Sequence, residues 1–133
     1  MGLTEDEKNA VVLLRMKNAR ETLEDTKVIV RNKLWKAAAN RLYYACFYAA
    51  SALLMKYGFQ AKTHAGIIRL LGLNFITKNL INSDLGDMYY QLFTLRLKGD
   101  YDEWIVVKES DIIPLLEPAE KFIAQIEKLI NNQ

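Results

Sequence analysis

Segment 34–57 restricts the fold more than any other part of the chain, because it is apolar on almost every side of a helix. A helix of that kind lies at the centre of a protein and contacts several neighbours. Its apolar run 42–55 is too short to span a bilayer, and it is rich in alanine and tyrosine, which favours a buried helix. Gly58 follows in the place of a left-handed C-cap. We therefore predict the central helix of an all-α bundle.

The residues on either side of this segment predict further helices. Thr4 and Glu7 have the spacing of a capping box, and an apolar stripe then continues along one face until a break at 32–33. Thr63 is placed to cap a short third helix. Residues 75–81 are predicted to form a separate turn after that helix.

The C-terminal half is predicted to add two helices. Ser83 is placed to cap the fourth helix and Gly99 to end it. Residues 100–109 lack helical periodicity and are predicted to form an extended loop. Ser110 is placed to cap the last helix, in which Pro118 predicts a kink or a later start. The apolar face expected of that last helix consists of Ile113, Leu116, Ala119, Phe122, Ile123, Ile126 and Ile130.

Length and composition bound the number of domains and the chemistry. The 133 residues suffice for one core, so we predict a single domain over 1–133, built as an up-and-down bundle of four to five helices. With one cysteine and one histidine we expect no disulfide, no metal site and no cofactor. Cys46 is expected to be a small buried hydrophobe. No secretory signal or membrane span is visible, so we expect a cytoplasmic protein with no membrane partner.

The net charge of +2 conceals an uneven distribution. Segment 26–83 contains nine Lys and Arg residues and no Asp or Glu, whereas the segments on both sides of it carry net negative charge. Such a run predicts a surface that faces an anion such as phosphate. The alternative is that the acidic flanks fold back and pair with the basic segment.

Two arginines stand in segments where the pattern predicts core. Arg41, Tyr44 and Tyr48 share one face of the second helix because they are three and four residues apart. Arg96 and Asp100, four residues apart, can pair if the fourth helix continues that far. In the structural interpretation, each arginine is held by a carboxylate or by helix carbonyls. In the functional interpretation, Arg41 and Arg96 meet across two helices and hold a phosphate or a carboxylate near Tyr44.

His64 follows Thr63 at a predicted helix start. A lone histidine in that position is expected to cap the helix or to hydrogen-bond, and the alternative is an acid–base catalyst. No Gly-rich phosphate loop is present in the sequence.

Several short motifs occur in an order and spacing that resemble a known family, the HEPN domain (higher eukaryotes and prokaryotes nucleotide-binding), in its small stand-alone prokaryotic branch. The motifs are 38–47 (AANRLYYACF), 52–54 (ALL), Gly58, 62–64 (KTH) and 96–101 (RLKGDY). The resemblance covers nearly the whole chain. It implies an up-and-down helical bundle that forms homodimers and that acts with a minimal nucleotidyltransferase, often as a toxin–antitoxin pair.

The resemblance also implies candidate catalytic residues. Many HEPN proteins are metal-independent RNases that use an Arg followed, after four to six intervening residues, by a His. The Arg corresponds to Arg96, but the positions for the His hold Tyr101, Asp102 and Glu103. Arg-x-x-x-Asp-Tyr is typical of the stand-alone branch, which makes Asp100 and Tyr101 candidates beside Arg96. His64 could supply the imidazole if the fold brings it near Arg96.

Three functions follow from these observations. The first, which we favour, is a HEPN module that binds nucleotide or RNA phosphate and acts with a minimal nucleotidyltransferase in a toxin–antitoxin, stress or defence system. The second is a metal-independent endoribonuclease toxin that uses Arg96. The third is a dimeric scaffold without catalysis, in which the arginines serve stability alone.

Overall fold

Five α-helices and one π-helical turn make up the fold, in a computed structural model that describes residues 2–132. No strand occurs in that range. The predicted all-α bundle is therefore confirmed. The helices are α1 (Glu5–Arg31), α2 (Trp35–Lys56), α3 (His64–Leu71), α4 (Ser83–Tyr101) and α5 (Glu109–Asn131), and the π-helical turn Gly72–Ile76 continues directly from α3.

Helix α2 is the central helix, as its sequence predicts. It packs most extensively against α1, and also against α3, α4 and α5. Ala45, Ala49, Ala52 and Leu53 have no exposed surface. Because alanine adds only a methyl group, neighbouring helices approach α2 closely on several sides.

The predicted ends of α1 are confirmed. The Thr4 hydroxyl accepts the Glu7 N–H at 3.1 Å, and the Glu7 carboxylate accepts the Thr4 N–H at 2.9 Å, which completes the capping box. At the other end, Lys33 adopts a left-handed φ of 58°, and this turn leads the chain back into α2.

The connection from α2 to α3 also follows its sequence. Gly58 has φ 81°, a conformation that an L side chain would strain, directly after the C-cap at Tyr57. The Thr63 hydroxyl then accepts the Gly66 N–H at 2.9 Å and caps α3. This cap fixes the position of His64, the first residue of the helix.

Both predicted ends of α4 are wrong. The cap is Asn82 rather than Ser83, because the Asn82 side chain accepts the Asp84 N–H at 3.0 Å. Gly99 does not end the helix, since it lies buried in the last turns, and Asp102 N–H still donates to the Lys98 carbonyl at 3.0 Å. The helix therefore includes Asp100 and Tyr101, and the loop shortens to 102–108.

The predicted start of α5 is wrong as well. The helix begins at Glu109, where the Asp111 carboxylate accepts the Lys108 N–H at 2.9 Å, so Ser110 is not the cap. Both prolines lie inside the helix, so the later start that Pro118 predicted does not occur.

The apolar face of α5 differs from the prediction in its first turns. Ile112 and Leu115 are buried, whereas Ile113 is 41% exposed and Leu116 is only half-buried. The physical reason is a small second core at this end of the bundle, where Ile112 packs with Ala38 and Ala39 of α2 and Val107 of the loop. From Ala119 onward the predicted face is buried as expected.

Loop 102–108 is fixed to the start of α2. Ile105 and Val107 pack into the second core, so the loop covers the first turns of α2. This holds the C-terminal turns of α4 close to Asn40 and Arg41.

Among residues 2–132, no helix is long and apolar enough to cross a membrane.

Candidate functional site

Two guanidinium groups lie over one tyrosine ring at the junction of α2 and α4. The Cζ of Arg41 is 5.2 Å from the centroid of the Tyr44 ring, and the Cζ of Arg96 is 5.5 Å from the same centroid. Tyr44 is half-buried, so its ring lies at the boundary between the core and the surface. The ring face attracts both cations and holds them near each other although they come from different helices.

Arg96 is a nearly buried charge with incomplete compensation. It is 7% exposed, and its guanidinium also lies 4.8 Å from the Tyr43 ring and 6.0 Å from the Phe93 ring. Its Nη1 is 3.6 Å from the Asp100 carboxylate, which is too long for a strong hydrogen bond. Its Nε has no hydrogen-bond partner among residues 2–132. A buried guanidinium with one distant carboxylate retains donors for a further anion.

Arg41 is held by an amide rather than by a carboxylate. Its Nε and Nη2 donate to the Asn40 side-chain oxygen at 3.1 and 2.9 Å. The amide nitrogen of Asn40 donates in turn to the Asp100 carboxylate at 3.3 Å. Asp100 is thus shared between Arg96 and Asn40, and the local charge of the two guanidiniums exceeds that of the single carboxylate.

His64 completes this cluster from α3. Its Nδ1 is 2.5 Å from the Tyr43 hydroxyl, and its ring centroid is 4.6 Å from that of Phe47 and 6.0 Å from that of Tyr44. Burial lowers the pKa of His64, and the positive charge of Arg96 lowers it further. His64 is therefore neutral at pH 7.

Burial raises the pKa of Tyr43 to about 12, so its hydroxyl keeps its proton. When this hydroxyl donates to Nδ1 of His64, the imidazole carries its own proton on Nε2. Tyr43 thus orients the ring, whose pKa is lowered by burial and, to a smaller extent, by Arg96. We call Arg41, Tyr44, His64, Arg96 and Asp100, with Asn40 and Tyr43, the α2–α4 cluster.

The structure brings together most of the residues that the sequence singled out. Arg41 of α2 and Arg96 of α4 both lie near the Tyr44 ring, and His64 shares the Tyr43 and Tyr44 rings with Arg96. Tyr101 does not join them, since its side chain is 79% exposed at the end of α4.

Two members of the cluster were not predicted as site residues. Tyr43 orients His64, and Asn40 links Arg41 to Asp100. Both residues are polar and lie in the most apolar helix of the chain, which is the feature of the sequence that could have indicated them. Their hydrogen-bond partners could not be assigned without the fold. Cys46 has no exposed surface and burial raises the pKa of its thiol, so the prediction of a small buried hydrophobe is confirmed.

The basic segment remains largely free of ion pairs. Among residues 2–132, Lys27 is the only cation of segment 26–83 in an ion pair, with Glu24 at 3.1 Å and Glu120 at 2.9 Å. The alternative that the acidic flanks fold back and neutralise this segment is therefore wrong for its other lysines and arginines.

The fold and the cluster define a small all-helical bundle protein with a polar, cationic site between its second and fourth helices. The model of the HEPN domain matches residues 12–129. The chain therefore belongs to the HEPN family, and the resemblance stated from the motifs is confirmed.

Relatives of similar length support this assignment. A "UPF0332 protein" of Thermotoga maritima is 35% identical over 127 residues, which cover 96% of this chain and 96% of that protein. "Putative toxin MJ0605" of Methanocaldococcus jannaschii is 34% identical over 84% of this chain and 83% of its own length.

A solved structure shares the fold. The crystal structure of TT1696 from Thermus thermophilus superimposes with a TM-score of 0.74 at 18% identity, over 88% of this chain and 96% of that one. At this identity the likeness shows the fold alone.

Proposed function

We propose that this HEPN protein binds the phosphate of a nucleotide or of RNA at the α2–α4 cluster. The observation that carries the proposal is the pair of guanidiniums near the Tyr44 ring, of which only Arg96 has a carboxylate, Asp100, within 4 Å among residues 2–132. Guanidinium donors suit phosphate oxygens, and Arg41 is the half-exposed member through which an anion can approach. Arg96, which is nearly buried, adds positive charge to the same cluster.

The long-range field supports the same proposal. Segment 26–83 carries no carboxylate, and most of its cations have no ion pair in residues 2–132. Such a surface attracts polyanions before any specific contact forms. A phosphate near Arg41 gains both from this field and from the cluster.

A binding titration with a matched variant tests the proposal. Fluorescence anisotropy of a labelled short RNA and of a labelled nucleotide is measured at two salt concentrations, with the wild type, Arg41→Ala and Arg31→Ala. Arg31 is an exposed residue in the last turn of α1 and carries the same charge. We expect salt-dependent binding that Arg41→Ala weakens and Arg31→Ala leaves close to wild type. Binding that is absent, or equal in all three proteins, would falsify the proposal.

We further propose that the protein acts as a homodimer and with a minimal nucleotidyltransferase, in a toxin–antitoxin or related defence system. The family membership and the name of the relative MJ0605, a putative toxin, support this role. If such a transferase is encoded beside this chain, the two proteins should co-purify on co-expression. Separate elution in size-exclusion chromatography would count against the partnership.

A second candidate function is metal-independent RNA cleavage, and the position of His64 favours it. The His expected after Arg96 is absent from the sequence, but His64 of α3 and Arg96 both lie near the Tyr43 and Tyr44 rings, which supports this candidate. In this reaction His64 is the tautomer whose Nδ1–H donates to the Tyr43 hydroxyl oxygen, which leaves Nε2 free to accept the proton of a ribose 2′-hydroxyl. The 2′-oxygen then bonds to phosphorus, the bond from phosphorus to the 5′-oxygen breaks, and the 5′-oxygen takes a proton from water. Arg96 stabilises the charge that develops on the phosphate oxygens.

The two functions give different results in one experiment. Incubation of purified protein with RNA in a chelator should yield products with a 2′,3′-cyclic phosphate if cleavage occurs, and His64→Gln should abolish them. Expression of the wild type alone should then arrest growth. Intact RNA and normal growth, together with the binding described above, would leave the binding function and exclude cleavage.

A further inference from the structure

A second cationic cleft lies at the opposite end of α2 from Arg41. It has a volume of about 510 Å³ and is bounded by the first half of α1, the second half of α2, residues 58–62 and Ile67 of α3. Its charged lining residues are Lys8, Arg15 and Lys62, and no Asp or Glu lines it. Its apolar wall includes Phe59 and Met55.

The cations of this cleft are only partly compensated. Arg15 Nη1 donates to the Ser51 hydroxyl at 2.8 Å, and Arg15 is in no ion pair within residues 2–132. Lys8 pairs with the exposed Glu5 at 3.2 Å. Lys62 is exposed and forms no ion pair in that range. The cleft therefore offers at least two cations, one of them held rigidly by Ser51.

One face of α2 connects this cleft with the α2–α4 cluster. Arg41, Tyr44, Tyr48, Ser51 and Met55 follow each other at spacings of three and four, so they lie along one side of the helix. All five are partly exposed, although most of α2 is buried. At 1.5 Å per residue, Arg41 and Ser51 are about 15 Å apart along the helix axis.

Aromatic rings occupy the middle of this face. The rings of Tyr44 and Tyr48 have centroids 6.1 Å apart, and Tyr48 lies between the two cationic ends. Proteins that bind single-stranded nucleic acid combine a cationic groove with aromatic rings on which bases stack. Both components are present here, because cationic residues lie at both ends of this face of α2 and aromatic rings lie between them.

We propose that the cleft around Arg15 is a second phosphate site and that one strand of RNA lies along the α2 face between it and the α2–α4 cluster. The proposal rests on the proposed function, since the first phosphate site is the same. The phosphates of one mononucleotide are adjacent and cannot contact Arg41 and also reach the level of Ser51, which is about 15 Å away along the helix axis. The geometry therefore favours an oligonucleotide of several residues, unpaired so that a base can reach Tyr48.

Oligonucleotide length and one charge reversal test this inference. Anisotropy is measured with labelled single-stranded RNA of two and of eight nucleotides, using the wild type, Lys62→Glu, Lys78→Glu and Arg41→Ala. Lys62 is exposed and is in no ion pair among residues 2–132, and Lys78 is an exposed lysine outside the cleft. Thermal unfolding of each variant verifies that it is folded.

We expect the longer RNA to bind several-fold more tightly than the shorter one. Lys62→Glu should weaken binding of the longer RNA more than Lys78→Glu does. It should also reduce the magnitude of the slope of log affinity against log salt by about 0.7, the value for one lost phosphate contact to a single strand.

Equal affinity for both lengths, or equal effects of Lys62→Glu and Lys78→Glu, would overturn the inference. If Arg41→Ala still weakens binding in that case, the proposed function stands and only the second site is lost. Unchanged binding by Arg41→Ala would instead overturn the proposed function itself, and the inference with it.

Discussion

Arg96 shows how this bundle keeps a charge in its interior. Three aromatic rings surround its guanidinium, and the carboxylate of Asp100 stands 3.6 Å away at the edge of the core. Ring faces supply electrostatic attraction at little cost in space, while the aliphatic part of the side chain packs as a hydrophobe. The residue therefore serves the core and the site at once.

The two arginines should differ in their effect on stability. We expect Arg96→Ala to lower the free energy of unfolding by about 2 kcal/mol, because it removes the ring contacts and leaves a cavity. Arg41→Ala, at a half-exposed position, should change it by less than about 1 kcal/mol. Urea denaturation monitored by circular dichroism measures both, and equal losses would contradict the account of Arg96.

The protonation of His64 is a second expectation at this scale. Since the chain has one histidine, its imidazole resonances are unambiguous in an NMR pH titration. Burial and Arg96 should place its pKa below the usual value of about 6.5, and Arg96→Gln should raise it. A pKa at or above 6.5 in the wild type would contradict this description.

The lowered pKa of His64 has a consequence for stability. Because its pKa is lower in the folded state, His64 binds a proton more tightly in the unfolded chain than in the folded one. The contribution of the neutral imidazole to the free energy of unfolding is therefore complete above about pH 6.5 and is lost as the pH falls through the lower pKa of the folded state. His64→Gln should therefore reduce the loss of stability between pH 7 and pH 5.

Sequence alone identified Arg41, His64 and Arg96 because charged or titratable groups in an apolar pattern stand out. It could not assign Tyr43 to His64, or Asn40 to Asp100, because those pairs join residues that are far apart in the chain. Partners of this kind are set by the packing of α3 and α4 on α2.

The predicted helix ends show the same limit of sequence-based prediction, because some ends depend on residues that are distant in the chain. The capping box of α1, Gly58 after α2 and the Thr63 cap of α3 were predicted correctly because their partners are within a few residues. At α4, Asn82 and Ser83 are both good caps in adjacent positions, and tertiary packing decides between them. At α5, the second core around Ile112 determines which face is buried.

Adjacent substitutions test the cap of α4. Asn82→Ala should destabilise the protein by about 1 kcal/mol, because the Asp84 N–H loses its acceptor. Ser83→Ala should have little effect, since the side chain is exposed in the first turn of the helix. Chemical denaturation of the two variants compares them directly, and a larger loss for Ser83→Ala would show that the cap is misassigned.

The whole molecule is organised around α2. Its alanines allow α1, α4 and α5 to approach it, and its partly exposed face carries Arg41 and the aromatic rings. The same helix thus forms the core on most sides and the candidate binding surface on one. This explains why the most apolar segment of the chain also contains the residues of its motif.

Close packing around α2 predicts a strong position dependence. Ala49→Leu should lower the free energy of unfolding by about 2 kcal/mol, because the added atoms find no space at a position with no exposed surface. Ala37→Leu, on the exposed side of the first turn, should be tolerated. Thermal and urea unfolding measure the difference, and similar stabilities would argue against a tightly packed central helix.

The charge distribution also has meaning only for the whole molecule. The acidic N- and C-terminal segments meet the basic middle through Lys27, while its remaining cations stay available. Asp100 is the carboxylate that enters the α2–α4 cluster, and it is shared between two partners. The net charge of +2 therefore describes neither the basic segment 26–83 nor the acidic segments on both sides of it.

If phosphate binds beside Arg41 and Arg96, as we propose, the pKa of His64 should change when RNA binds. A bound phosphate brings negative charge next to the imidazole and offsets the field of Arg96. The NMR titration of His64 is therefore repeated with a saturating single-stranded RNA oligonucleotide. We expect the pKa of His64 to be higher in the complex than in the free protein. An unchanged pKa, with RNA shown to be bound, would place the ligand elsewhere and contradict the account.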